Sequence, residues 1–340
     1  MQSTGVLFVA PRVVEVRQEQ MADLKPDQVL VRTLISAISP GTEMLLYRGE
    51  FPADLPLDEN LESLAGQATY PVKYGYSAIG EVIERGEAVD SEWIGKRVFA
   101  FQPHVSHFVV KPDALQVIPQ EISEEDAAFL PNMETAVNFV MDGRPLIGEN
   151  VILFGQGIVG LLTTALLAQY PLNNLITVDP FAIRRRASLD LGANISIESS
   201  DAVSMEQGIG LFKGSRFPGA DLIYELTGNP QVLNHALEVC RFNGRIVIGS
   251  WYGKKQADLN LGGWFHRSRI QLISSQVSSI NPEFSARWDK DRRFQVAWEM
   301  LSRVKPSRLI THRIPIREAG EAYRLVDQQP GETIQIILTY

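Results

Sequence analysis

The sequence predicts an α/β protein in two parts, a β-rich N-terminal domain followed by a doubly wound parallel sheet. Three observations predict it. Short apolar runs cut by turn residues fill the chain up to about residue 120. From Asn150 onward, strand and helix patterns alternate. A glycine motif, Gly155-Gln156-Gly157-Ile158-Val159-Gly160, stands between a segment that reads as a strand and one that reads as a helix.

The early runs lie at residues 6–10, 13–16, 28–33, 78–84, 97–101 and 107–110, each stopped by residues such as Pro11 or Arg85-Gly86. Strands this short with turns this frequent make a β-rich domain. Near Ser123 the pattern changes: Glu124, Glu125 and Asp126 follow it, a serine cap with acids in the first helical turn. Residues 151–154 are wholly apolar, as a parallel strand covered on both faces should be. A helix is expected over 158–170, a strand over 175–178 and a helix over 183–191. Further strands are expected at 221–225, 245–248 and 270–273, then helices around 293–303 and 316–327 and a last strand at 333–338. This βαβ rhythm is that of a doubly wound sheet.

With 340 residues the chain exceeds one ordinary core and suits two domains. Its 45% hydrophobic content excludes a disordered chain. A net charge of −8 and a pI near 5.3 argue against nucleic acid as a partner. Cys240 is the single cysteine, so neither an intrachain disulfide nor a cysteine-rich zinc site can form. No secretory leader and no apolar stretch of spanning length are expected, so a cytoplasmic protein without membrane contact is the default.

The glycine motif has a physical reading. Gly155 permits a tight turn, Gly157 lets backbone approach a pyrophosphate, and Gly160 lets the helix pack on the strand. The helix N-terminus then offers unpaired amides and partial positive charge to phosphates. Asp179 stands at the end of the next strand, about 20 residues on, where an acid suits the ribose hydroxyls of NAD and repels the 2′-phosphate of NADP. Arg184, with Arg185 and Arg186, keeps NADP open, since an arginine here either binds that phosphate, stacks on adenine or faces solvent. The bland alternative is a glycine turn without a ligand.

Six motifs in order extend the reading: Pro40-Gly41-Thr42-Glu43, residues 75–82 (GYSAIGEV), Gly95-Lys96-Arg97-Val98-Phe99, the glycine motif, Glu225-Leu226-Thr227-Gly228 and Asn243-Gly244-Arg245-Ile246-Val247. With them the chain resembles the medium-chain dehydrogenase/reductase superfamily, and within it the branch of threonine, polyol and hydroxyethyl-bacteriochlorophyllide dehydrogenases. The resemblance implies a GroES-like domain over 1–132, a Rossmann domain over 133–277 and a return to the first domain over 278–340. It implies cofactor contacts at Thr227, Ser250 and Ser275 besides the motif residues. It also implies a homodimer paired through the strand at 270–273.

The departures from the pattern concern zinc. Zinc-dependent members carry a cysteine before the Thr-Glu pair, a Gly-His-Glu motif and a later cysteine or glutamate. Here those positions fall at Ser39 or Pro40, at Gly75-Tyr76-Ser77 and near Asn132, which make no zinc ligand set. The resemblance therefore implies a member without zinc, and side chains must manage the proton that accompanies hydride transfer. Tyr76 takes the place of a ligating histidine and is either a hydrogen-bond donor to an alkoxide or a packed aromatic. Thr42 aligns with a relay hydroxyl or caps a turn, and Glu43 orients a neighbour or forms a structural salt bridge. His104 either shuttles a proton or fills a loop. Arg287, Trp288, Arg292 and Arg293 either hold an acidic small-molecule substrate or form a solvated face.

Three functions compete. The first is a zinc-independent NAD-dependent dehydrogenase of an alcohol, polyol, cyclitol or side-chain hydroxyl. The second is an NADPH-dependent quinone or enoyl reductase. The third is a dinucleotide-binding redox sensor without catalysis.

Overall fold

The apolar runs of the N-terminal part pair as strands in a computed structural model that describes residues 1–52, 54–57, 62–64, 66–198 and 218–340. Strands β1 (Gln2–Ala10) and β2 (Val13–Gln20) form an antiparallel ribbon. They are followed by β3 (Val29–Ala37), β4 (Ala78–Arg85), β5 (Arg97–Ala100), β6 (His107–Val110) and β7 (Leu115–Val117). The alternating region supplies β8 (Asn150–Phe154), β9 (Asn174–Val178), β10 (Ile195–Ile197), β11 (Ala220–Glu225), β12 (Cys240–Ile248) and β13 (Gln271–Ser274). Last come β14 (Ile310–Pro315) and β15 (Gln335–Thr339).

The described chain divides into two units, Met1–Pro131 with Leu301–Tyr340, and Asn132–Met300. In the first, a sheet runs β14-β15-β3-β4-β5-β7, with β6 also paired to β3. The antiparallel pairing of β15 with β3 sets Leu338 opposite Ser36. One apolar core of this unit gathers Val6, Phe8, Met44, Leu46, Tyr74, Tyr323 and Leu338, each buried side chain of this kind contributing about 1.5–3 kcal/mol.

In the second unit the sheet runs β10-β9-β8-β11-β12-β13, every pair parallel. Counted along the chain this is the order 3-2-1-4-5-6 of a dinucleotide-binding sheet, whose strand order reverses between β8 and β11. A mixed α/β protein with a Rossmann sheet and a β-rich GroES-like part is therefore what the chain forms.

The helices are α1 (Thr42–Arg48), α2 (Glu124–Ala127), α3 (Leu130–Gly143), α4 (Ile158–Leu167), α5 (Ala182–Asp190), α6 (Val232–Val239), α7 (Lys290–Val304) and α8 (Ala319–Gln328). Ser123 caps α2, its Oγ accepting from the Asp126 amide at 3.1 Å. Helix α4 stops at Leu167, three residues short of the expected 158–170, because Pro171 disfavours a helical Tyr170. The expected boundary at 277/278 falls inside the second unit. Arg293 of α7 is enclosed there, its guanidinium donating to Glu134 and Asn138 of α3 and to the carbonyls of Val277 and Ser279. That ion pair anchors 277–293 to the second unit. Among the described residues no helix is long and apolar enough to cross a membrane.

Candidate active site

The glycine motif forms the turn that its residue types require. Gly155 has φ +90°, and a Cβ on it would lie 2.6 Å from the Leu226 carbonyl oxygen. A Cβ on Gly160 would meet the Gly155 carbonyl oxygen at 2.1 Å, so α4 sits against the strand end as only glycine allows. A Cβ on Gly157, the residue that caps α4, would meet nothing within 4 Å. Open space before a helix N-terminus fits a pyrophosphate. Ile158 is core and Val159 half-exposed. Gln156 is buried, its Oε1 accepting from Thr164 Oγ1 at 2.9 Å, so its side chain holds the turn to the helix.

Asp179 ends β9 and is buried. Its Oδ2 accepts from the Gln156 amide at 2.8 Å and its Oδ1 from the Phe181 amide at 2.9 Å. The carboxylate is thus aimed at the glycine turn, and each oxygen keeps a second lone pair for a ribose hydroxyl. The Arg184 guanidinium stacks on Phe181, 4.8 Å from the ring centroid. Burial pulls its pKa down, opposed by the charge of Asp179. Arg185 donates to the Asp179 and Pro180 carbonyls and to Glu198, which leaves Arg186 as the exposed member of the trio.

Beyond β11, the Thr227 amide donates to Glu225 Oε1 at 2.8 Å and the Thr227 hydroxyl donates to the same oxygen. Ser250 Oγ accepts from the Gly228 amide at 2.9 Å. Ser275, expected as a cofactor contact, is also bonded within the protein. Its hydroxyl donates to Asp142 Oδ2 at 2.6 Å and accepts from Asn138 at 3.0 Å inside a buried polar cluster. Arg293 differs from the basic surface cluster expected, because its charge is enclosed against Glu134. Arg292 remains at the surface, its guanidinium 4.1 Å from the Trp288 ring centroid.

In the first unit, the Tyr76 hydroxyl donates to Ser39 Oγ at 2.5 Å, and Ser77 Oγ donates to the Ala128 carbonyl at 2.7 Å. Both Tyr76 and Thr42, the first residue of α1, are half-buried. Glu43, next along α1, is fully enclosed. Its Oε1 accepts from the Ser39 amide at 2.9 Å; its Oε2 accepts from the Tyr323 hydroxyl at 2.6 Å and lies 3.0 Å from His104 Nε2. The other imidazole nitrogen of His104 is 2.6 Å from Ser36 Oγ, which is 2.8 Å from the Tyr340 hydroxyl. A carboxylate only accepts, so Nε2 carries a proton and donates to Glu43. Gly75, at φ +125°, lets the chain cross the imidazole: a Cβ there would be 2.7 Å from His104 Cδ2. Burial, then the charge of Glu43, holds the Tyr323 hydroxyl far above the usual tyrosine range. His104 and Glu43 therefore reach a ligand only through neighbours, not by touching it.

A family model described as zinc-binding dehydrogenase matches residues 159–292. D-guloside 3-dehydrogenase of Escherichia coli (strain K12) is 23% identical over 354 residues, covering 98% of this chain and 99% of that one. (R,R)-butanediol dehydrogenase of Bacillus subtilis (strain 168) is 27% identical, covering 78% of this chain and 81% of that one. The crystal structure of a short chain alcohol dehydrogenase from E. coli CFT073, complexed with cofactor NADH, aligns over 100% of this chain and 99% of that one. Its TM-score is 0.79 at 19% identity, so the fold is shared.

Residues 159–292 match the zinc-binding dehydrogenase family, and the whole chain shares the fold of these dehydrogenases.

The relatives are named dehydrogenases, and the aligned structure is complexed with NADH. Of the positions that the resemblance aligns with zinc ligands, Ser39 and Tyr76 share a hydroxyl–hydroxyl bond, Ser77 donates to backbone, and Asn132 is buried. No group of three or more His, Cys, Asp or Glu able to hold a metal occurs among the described residues. Cys240 is buried, which pushes its thiol up to about 12. The sequence reading missed Ser36, Tyr323 and Tyr340, and also Tyr252, and gave Glu225 only as part of a motif. None follows a periodic pattern, and the partners in each contact come from distant parts of the chain or from neighbouring loops.

Proposed function

We propose that this protein is an NAD-dependent medium-chain dehydrogenase that works without zinc, on the hydroxyl or carbonyl of a polyol, a cyclitol or a hydroxylated side chain. The observation that carries this is the Tyr76–Ser39 hydrogen bond, 2.5 Å long, at two of the positions where zinc ligands would stand. NAD supplies the hydride acceptor when bound. Residues 155–160 hold its pyrophosphate, with Asp179 at its ribose and Thr227 and Ser250 further along. Tyr76 gives its hydroxyl hydrogen to Ser39, and this hydroxyl pair is the polar contact proposed for the substrate oxygen. Thr42 orients that oxygen. Glu43 holds the Ser39 amide in place, and His104 in turn holds Glu43.

The names of the relatives support an alcohol or polyol substrate, and the NADH of the aligned structure supports the cofactor. Asp179 favours NAD over NADP by charge. We also propose a homodimer joined through β13, which ends its sheet and leaves one edge unpaired among the described residues.

The test is a panel of alcohols, polyols and ketones with NAD or NADH, on protein dialysed against a chelator and assayed for zinc. Turnover without stoichiometric zinc, lost in Tyr76→Phe, is expected. One zinc per chain required for turnover overturns the zinc-free assignment. NADPH bound tenfold more tightly than NADH returns the enoyl or quinone reductase reading.

A further inference from the structure

A buried acid in the second unit has no part in the function proposed above. Glu225 is the last residue of β11 and is fully enclosed. Its three hydrogen-bond donors are neutral: the Thr227 amide at 2.8 Å, the Thr227 hydroxyl and the Tyr252 hydroxyl. Thr227 belongs to the loop after β11, and Tyr252 to the loop after β12. The same two loops are tied twice more around Ser250. The Gly228 amide donates to Ser250 Oγ at 2.9 Å, and Ser250 Oγ donates to the Glu225 carbonyl at 3.3 Å. Lys255 adds a bond from its ammonium to the Gly228 carbonyl at 3.0 Å.

A buried carboxylate facing neutral donors is expensive to keep unless the geometry it enforces is used. What it enforces is the spacing of two loops at the carboxyl ends of adjacent strands, beside the point where the strand order reverses. Ligands of such sheets bind there. The pyrophosphate site is at Gly157 and the adenosine ribose site at Asp179, both on the β8–β9–β10 half. The second half, β11–β12–β13, is left to the nicotinamide nucleoside.

We propose that Glu225 and Tyr252 are positioning residues that clamp the Thr227–Asn229 and Ser250–Tyr252 loops together to receive the nicotinamide half of the cofactor. The proposal rests on the nicotinamide reading of the site. Neither residue needs to touch the cofactor. Glu225 holds Thr227 by both its amide and its hydroxyl, and Tyr252 locks the neighbouring loop to the same carboxylate. Burial, then the charge of Glu225, holds the Tyr252 hydroxyl above its ordinary range, so it stays a donor.

The test compares two ligands on the full chain by calorimetry: NADH, and ADP, which carries only the adenosine and pyrophosphate parts. Tyr252→Phe removes one hydroxyl and keeps the ring. Glu225→Gln keeps the shape and removes the charge. For Tyr252→Phe the NADH dissociation constant is expected to rise about five- to tenfold, as for one lost hydrogen bond to a charged group. ADP binding stays at the wild-type value. Glu225→Gln shows the same selectivity with a larger loss, and Tyr252→Phe decides the matter if Glu225→Gln does not fold. Equal losses for NADH and ADP, or no loss for either, overturn the clamp. Wild-type protein that binds ADP but not NADH overturns the nicotinamide reading and the clamp with it, an outcome distinct from unchanged variants.

Discussion

His104 Nε2 lies 3.0 Å from Glu43 Oε2, and neither side chain has any exposed surface. The pair sits under Ser39, whose amide Glu43 also accepts. Glu43→Gln keeps the volume but puts an amide donor among three donors, leaving at least one buried group unpaired. A loss of about 1–3 kcal/mol in urea unfolding is expected. Turnover should fall with it while NADH affinity stays unchanged, since Glu43 belongs to the first unit and the glycine motif to the second. Tyr323→Phe, which deletes a single donor, should lose about 0.5–1.5 kcal/mol. A Glu43→Gln variant as stable and as active as wild type would contradict this account.

Two glycines of one motif should respond in opposite ways. A Cβ on Gly157 meets nothing, and its φ of −64° suits any residue, so Gly157→Ala should melt like wild type. The added methyl group would occupy the space assigned to the pyrophosphate, so NADH binding should weaken. Gly160→Ala forces a contact of 2.1 Å with the Gly155 carbonyl. It should cost about 1–3 kcal/mol as well as cofactor binding. Differential scanning calorimetry with and without NADH separates the two.

Cofactor choice should turn on Asp179. Asp179→Asn removes the charge but keeps an oxygen for the amide of either Gln156 or Phe181. NADH should bind about tenfold more weakly, the equivalent of one charge-assisted hydrogen bond. NADPH should gain relative to NADH, because the repulsion of its 2′-phosphate is gone. Fluorescence titration with both cofactors reads the ratio, and an unchanged ratio would remove Asp179 from the specificity argument.

His107 should make stability depend on pH in a known direction. Burial first, then the positive charge of Arg32, pull its pKa below the ordinary 6.5. The unfolded chain therefore takes up this proton at higher pH than the folded one. The contribution is fully present above pH 6.5 and is lost as pH falls from there through the folded value. Urea unfolding of wild type and His107→Gln across this window should show a shallower acid-side decline in the variant.

Local chemistry was enough to read the second unit. The glycines, the apolar run at 151–154 and Asp179 all act within one βαβ segment, where spacing along the chain is spacing in the fold. The doubly wound parallel sheet followed, because crossover connections leave few alternatives. Tertiary structure alone decided the first site. Ser36, Glu43, His104, Tyr323 and Tyr340 come from β3, α1, a loop, α8 and the segment after β15, and a lone histidine in a loop carries no periodic signal. Their meeting depends on β15 returning beside β3, a pairing set by register and side-chain packing rather than by any short motif. The same limit explains Ser275 and Arg293. Their residue types suited ligand contacts, but partners more than a hundred residues away enclosed both, since a buried polar group must take whichever partner the fold brings to it.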